Sequence, residues 1–299
     1  MVYTEVRKTG KNRKFYRVYT YRKDGKVVHL RKYLGSDLPS AVLRKKEQAA
    51  DLHLTSPLNA LLTPHDRDVL EHVLRRHNEK HPSMFENRYE AFISEFTYDS
   101  TGIEGNTLTL RETAAVLFEG ATPAKSLREV YEVLNHKKAF DYVLAHKGDI
   151  TTEFLGAVQA IVTANTLKPE VADQLGRYRT VPVFIRGAKI VPPPAARVPK
   201  EMRRLLSWYS KNRNKTHPVV LAAYFHSAFE AIHPFVDGNG RVGRIALNFI
   251  LHKSGYPMIS IPRTQRVRYF EALAKAQAGN LRPFVQFLIR LLKNTDKSI

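Results

Sequence analysis

His233-Pro-Phe-Val-Asp-Gly-Asn-Gly-Arg-Val-Gly-Arg244 concentrates one imidazole, one carboxylate, a Gly-Asn-Gly turn and two guanidiniums into twelve positions. The residues before it, 217–232 (His-Pro-Val-Val-Leu-Ala-Ala-Tyr-Phe-His-Ser-Ala-Phe-Glu-Ala-Ile), are apolar almost all round, the pattern of a buried helix. After it, Val242, Ile245, Phe249 and Ile250 recur at helical spacing, so a second helix starts near Gly240. The stretch therefore reads as a tight loop between two core helices. It ends on a helix N-terminus, where free N–H groups and the positive end of the helix dipole form an anion site.

Each residue type has a use there. Gly238 and Gly240 permit positive φ and close backbone approach to a phosphate. Asn239 tolerates the left-handed region and adds an amide donor. Arg241 and Arg244, spaced i,i+3, share a helix face and can reach one polyphosphate. Asp237 is a hard oxygen ligand suited to Mg²⁺ carried in with a nucleotide, and His233 titrates in the range of a general base. Any one of these residues is equally explained by a polar turn with capping side chains and solvated arginines. The seven together are not.

His-Pro-Phe-x-Asp-Gly-Asn-Gly-Arg-x-x-Arg is similar to the signature of Fic proteins, which mostly transfer AMP from ATP to a protein hydroxyl. The resemblance implies a mainly α-helical bundle with a β-hairpin flap. It assigns catalysis to His233, Mg²⁺ to Asp237, and ATP binding to Gly238, Asn239, Gly240, Arg241 and Arg244. A second stretch, Ser100-Thr-Gly-Ile-Glu104-Gly-Asn106, reads by itself as a helix end with a glycine cap. It also resembles the inhibitory motif of Fic proteins, which implies that Glu104 pairs with Arg244 and occupies the guanidinium needed by the terminal phosphate. Gly176-Arg-Tyr-Arg-Thr180, followed by β-rich runs flanking Arg186–Lys189 and by Pro192–Pro194, resembles the family's flap. Val183, Phe184, Ile185 and Arg186 would then hold the target as an added strand. Tyr269 stands where relatives place an aromatic beside adenine, although core packing explains it as well. The resemblance spans about residues 55–292.

The chain has 299 residues, 43% hydrophobic and 25% charged, ordinary for a globular protein with one sizeable core. It contains no cysteine, which excludes disulfides and thiolate catalysis. No apolar run approaches the roughly 20 residues of a membrane span, and the N-terminus lacks a signal-peptide apolar region. A cytoplasmic location without membrane contact is the expectation. The net charge is +20, and residues 1–50 hold fourteen Lys and Arg against four Asp and Glu, half of it. That asymmetry marks a separate module.

Residues 13–22 alternate and are rich in β-formers, Lys23-Asp-Gly-Lys26 carries a hairpin signal, and Val27–Leu34 supplies the return strand. Residues 2–8 can add a third strand, and Pro39 opens a helix to about Leu52. Basic residues interleaved with Tyr16, Tyr19, Tyr21 and Tyr33 suit a nucleic-acid backbone, while a solvated basic face docked on the main domain suits them too. From Pro64 the periodicity gives helices over 64–79, 84–99, 110–119, 126–145, 151–164, 199–212, 217–232, 240–254, 264–278 and 282–293. Gly120-Ala-Thr-Pro-Ala-Lys-Ser126 imitates a phosphate-binding loop but lacks its second glycine and follows a helical pattern. The expected layout is a basic β module over 1–38 and a Fic domain over 39–299, with the inhibitory helix at about 86–106, the flap at about 181–194 and the signature at 233–244. The expected activity is autoinhibited transfer of AMP from ATP, with Mg²⁺, to a Tyr, Thr or Ser hydroxyl of a target protein. Self-modification and a homodimer are left open. The alternatives are removal of AMP through Glu104, or a regulator binding nucleic acid or an acidic partner through the basic module.

Overall fold

The computed structural model describes residues 2–10, 12–23, 26–54, 56–79, 85–184 and 191–298. The alternating N-terminal stretch forms strands β1 (Val2–Thr9), β2 (Asn12–Lys23) and β3 (Lys26–Ser36), an antiparallel sheet in the order β1-β2-β3. The turn residues Asp24 and Gly25 lie outside the described residues. Helix α1 (Ser40–Leu54) follows Pro39 and closes a small core of Phe15, Leu34 and Ala50. Arg17 fixes sheet to helix, giving Nε and Nη2 to the two Asp51 oxygens at 2.6 and 2.7 Å.

The remainder is helical: α2 (Pro64–Asn78), α3 (Phe85–Ile103), α4 (Leu110–Ala114), α5 (Leu127–Ala145), α6 (Thr152–Val162), α7 (Val198–Asn212), α8 (Pro218–Ile232), α9 (Asn239–Lys253), α10 (Arg266–Gln277) and α11 (Arg282–Ser298). Helices α8 and α9 are the centre. The first buries Val219, Val220, Leu221, Phe225 and Phe229, and the second Val242, Ile245, Leu247, Phe249 and Ile250, so each is enclosed on nearly every side, with polar groups such as Glu230 and Arg244 buried among them. The outer helices bury one stripe each; Val198, Met202, Leu205 and Tyr209 of α7 recur at helical spacing. Thr63–Asp66, Thr109–Glu112 and Ser126–Glu129 form reciprocal capping boxes that set the starts of α2, α4 and α5. The phosphate-loop mimic is thereby explained: Gly120, at φ 66°, ends the turn after α4, and Ser126 caps α5.

Two boundaries differ from the sequence reading. Helix α3 runs to Ile103, past the 99 at which its periodicity ends and close to the 106 given for the inhibitory helix, because its polar residues turn inward and bond within the helix: Thr101 Oγ1 donates to Thr97 O at 2.7 Å. Ser100 thus rides the helix's last turns. Val181–Phe184 forms no strand, and residues 185–190, the rest of the expected hairpin, are outside the described residues. Among the described residues no helix is long and apolar enough to cross a membrane.

Candidate active site

The loop between α8 and α9 is held in a conformation its own sequence disfavours. His233 sits in the left-handed region (φ 49°, ψ 63°), a non-glycine placement that costs on the order of 1–3 kcal/mol and persists only when its surroundings enforce it. Arg179 does the enforcing. It is 2% exposed, and its Nε donates to His233 O at 2.8 Å, its Nη1 to Val181 O at 3.1 Å and its Nη2 to Pro193 O at 2.5 Å. Its backbone N–H adds a bond to Pro234 O at 2.8 Å. One guanidinium therefore joins the signature loop to both ends of the expected flap. From α6, Gln159 Nε2 donates to Asp237 O at 3.2 Å, and its Oε1 accepts from Gly176 N at 2.6 Å. Gly238 takes φ 82°, and a Cβ there would lie 2.8 Å from Thr163 Cγ2, so the position is barred to other residues on two counts.

At the N-terminus of α9, Arg241 and Arg244 are 3% and 2% exposed. Arg244 gives Nε to Ser100 Oγ at 3.0 Å and Nη2 to Ser100 O and Glu104 Oε1, each at 2.8 Å. Its Nη1 and the Nε and Nη1 of Arg241 are buried donors without a hydrogen-bond partner, a costly arrangement that an incoming anion would relieve. Gly240 shows how close the Glu104 carboxylate lies: a Cβ there would collide with Oε1 and approach Arg244 Nη1 at 2.9 Å. Burial by itself would raise the Glu104 pKa, but the Arg244 and Arg241 guanidiniums outweigh it and hold the carboxyl below its ordinary range. Asp237 is half-exposed at the mouth. Its Oδ1 accepts from Gly238 N at 2.6 Å and faces Arg241 Nη2 at 3.4 Å, while Oδ2 faces Arg128 at 3.6 Å.

Burial pushes the His233 imidazole down to about 4, so it is neutral at pH 7 and able to accept a proton. Its Nδ1 lies 3.9 Å from Glu230 Oε2. Burial pushes the Glu230 carboxyl up to about 8. His226, fully buried and held down to about 3 by the same effect, meets Tyr269 OH at 2.7 Å through Nε2.

The fold brings His233, Asp237, Gly238, Gly240, Arg241, Arg244 and Glu104 to one place. Two expectations need correction. The Asn239 amide is not offered to a ligand: Oδ1 accepts from Phe235 N at 2.9 Å and Nδ2 donates to Phe235 O at 2.8 Å, so the side chain closes the loop upon itself. Tyr269, 1% exposed and bonded to His226, has no surface from which to meet a base; an aromatic at a helical core position packed as core. Val183 and Phe184 are described, Phe184 with 89% of its surface exposed, whereas Ile185 and Arg186 lie outside the described residues. The sequence reading missed Arg179 and Gln159. Their contacts span 54 and 78 residues, and no local pattern marks a side chain whose partners are distant backbone carbonyls.

Residues 149–251 match the Fic/DOC family. The protein adenylyltransferase Fic of Drosophila virilis is 33% identical over 262 residues, covering 86% of this chain and 52% of that protein. Its Drosophila grimshawi counterpart is 34% identical over 234 residues, covering 77% and 46%. The chain thus spans about half the length of these curated relatives. Among solved structures, a Fic domain containing signaling protein from Bacteroides thetaiotaomicron superposes with a TM-score of 0.69 at 27% identity, over 78% of this chain and 95% of that one. Fic-1 from C. elegans superposes with a TM-score of 0.66 at 27% identity, over 87% and 77%.

Proposed function

The chain belongs to the Fic/DOC family, and from that membership we propose that it is an autoinhibited protein adenylyltransferase using ATP. The observation that carries the reading is the set of buried guanidinium donors of Arg241 and Arg244 without a hydrogen bond at the start of α9, Arg241 Nη1 meeting only Glu132 Oε1 at 4.0 Å, beside the carboxylate that already engages Arg244. The relatives bearing the name protein adenylyltransferase support the same activity.

In this reading the triphosphate lies along Gly238–Arg241, its β- and γ-phosphates toward Arg241 and Arg244. A hydroxyl oxygen of the target attacks the α-phosphorus while the neutral His233 imidazole takes its proton. The bond from the α-phosphorus to the bridging oxygen breaks, and pyrophosphate leaves with the electron pair, its charge met by the two arginines. Positioned base catalysis contributes about 10²–10⁴-fold; alignment and charge neutralisation supply most of the rest. Asp237 fits a Mg²⁺ ion, which uses one or two carboxylates and takes its other ligands from phosphates and water. Bound there, the ion would neutralise phosphate charge. Val183, Phe184 and the residues after them belong to the proposed target-holding flap, and the acceptor is a Tyr, Thr or Ser hydroxyl of another protein or of this chain.

Glu104 is the proposed brake. While it holds Arg244, the terminal phosphate loses one pre-organised donor and meets a negative charge, a suppression of roughly 10²–10³ in rate. Its field also reaches His233, which favours a second reading in which the same pair activates a water to remove AMP. Incubation with α-labelled ATP tests both. Label should reach protein with Glu104→Gly and vanish when His233→Ala is added. A wild type as active as Glu104→Gly overturns autoinhibition, and AMP release that needs Glu104 establishes the reverse reaction.

A further inference from the structure

The N-terminal sheet keeps one face for α1 and leaves the other open. Opposite residues in an antiparallel ladder share a face, so the register puts Tyr3, Val18 (itself fully buried) and Arg31 in one row of the open face and Glu5, Tyr16 and Tyr33 in the next, with Arg7 and Lys14 beyond them. Thr4, Arg17 and Lys32 point the other way, and Arg17 is spent on Asp51. Tyr33 is 52% exposed and the Arg7 and Arg31 side chains are 51% and 44% exposed. Glu5 accepts from Nε of both arginines, at 2.8 and 3.1 Å, and so sets their spacing while leaving their terminal nitrogens uncommitted to it.

The far end of the same sheet carries a charge arrangement that folding disfavours. Arg7 stands opposite Lys14 on the open face, and Lys8 stands opposite Arg13 on the next rung, which faces the α1 side. Direct cross-strand repulsion destabilises a sheet, and a polyanion laid along the hairpin would remove it. Width selects the kind of polyanion. Two strands at the usual spacing of about 4.8 Å make a ribbon of the kind that the roughly 12 Å major groove of B-form DNA admits, and β1 and β2 carry the Arg7 and Lys14 pair; the narrow major groove of A-form RNA excludes side chains. The Tyr16 ring is covered by Arg7 at 5.2 Å and by Tyr33 at 5.2 Å, which closes it to base stacking. The open face thus presents guanidiniums and phenolic hydroxyls, groups that bond to phosphates and base edges.

We infer that the open face of the three-stranded sheet, with Arg31, Tyr16 and Tyr33 at its centre and Arg7 and Lys14 at its end, is a docking surface for double-stranded DNA. The inference is independent of the AMP-transfer reading. The rival basic surface is the shallow groove along α7, lined by Lys200, Arg203, Arg204 and Lys211 around Trp208; there Arg204 is paired with Glu201 at 3.2 Å, and removing charge from each decides between the two surfaces.

Fluorescence anisotropy of the full chain with a short random-sequence DNA duplex, between about 50 and 200 mM salt, tests the inference. Duplex DNA should bind more tightly than single-stranded DNA, duplex RNA or poly-glutamate. Arg7→Gln/Lys14→Gln/Arg31→Gln should flatten the slope of log affinity against log salt by up to about 3 and weaken binding at least tenfold at 0.1 M salt. The matched control Lys200→Gln/Arg203→Gln/Lys211→Gln should leave both unchanged. A second measurement needs no variant: bound duplex should protect Lys14 of the wild-type chain from acetylation. Equal affinity for single-stranded DNA, duplex RNA or poly-glutamate, an equal loss in the α7 control, or an unprotected Lys14 would each overturn it.

Discussion

Replacing Glu104 separates a charge effect from a steric one. In the folded chain Arg244 Nη2 donates to Glu104 Oε1 at 2.8 Å, with Arg244 2% exposed and the Glu104 side chain 39% exposed. A hydrogen bond between charged groups is worth about 1.5–3 kcal/mol, and the open side of Glu104 lets water weaken it, so about 1–2 kcal/mol is the working figure. That energy must be surrendered before Arg244 can turn to a terminal phosphate. At about 1.4 kcal/mol per decade, Glu104→Gly should tighten ATP binding roughly 5–30-fold. Glu104→Gln keeps an acceptor of similar size without the charge, so it should recover about half of that free energy. AMP, which has no terminal phosphate to offer Arg244, should gain little from either change. Isothermal titration calorimetry of ATP and AMP against the three proteins, with Mg²⁺ and at fixed ionic strength, reads these differences directly. Because the guanidiniums hold the Glu104 pKa below its ordinary value, the charge persists as pH falls through the usual carboxylate range. The wild-type deficit should therefore survive at pH 5. A Glu104→Gln protein indistinguishable from wild type, or an AMP gain equal to the ATP gain, would refute the electrostatic account.

Three further outcomes follow from other parts of the structure. Burial holds His233 at about 4, so the base form is present above that value and lost below it. The acidic limb of kcat/KM for AMP transfer by Glu104→Gly should then fall below pH 5, and since the lost carboxylate had raised the imidazole's proton affinity, it should fall no higher than about 4; a limb near the ordinary 6.5 contradicts the geometry. Arg179→Met leaves several buried carbonyls without their donor and should cost about 3 kcal/mol, a drop of several degrees in Tm, with AMP transfer falling more than stability because His233 is released from its backbone conformation; an unchanged Tm would remove Arg179 from this role. Gly243→Ala should destabilise despite alanine's better helix propensity, by about 1–3 kcal/mol in thermal or denaturant melts, because its Cβ would lie 2.5 Å from Glu230 Oε1 and 2.9 Å from His226 Nδ1.

Helix positions were legible because each α-helix repeats its apolar residues locally. The all-round apolar run over 217–232 and the helical spacing of Val242, Ile245, Phe249 and Ile250 identified the central pair, and twelve consecutive residues identified the loop between them. Ser100-Thr-Gly-Ile-Glu104-Gly was legible as a helix end, but the bond from a guanidinium 144 residues away to the Ser100 hydroxyl was not, because nothing local marks it.

The local order of residues determined the helices, the sheet with its crowded cations, and the chemical kinds gathered at 233–244. Tertiary packing decided which of those groups stay available. It spent the Asn239 amide on Phe235, enclosed Tyr269 against His226, and set Arg179 to clamp His233. The physical reason is that a side chain's free donors depend on what folding brings within 3 Å of it. For Tyr269 and Arg179 those neighbours lie 43 and 54 residues away, where sequence spacing carries no information about distance; for Asn239 the partner is only four residues off, and the turn of the loop brings the two together.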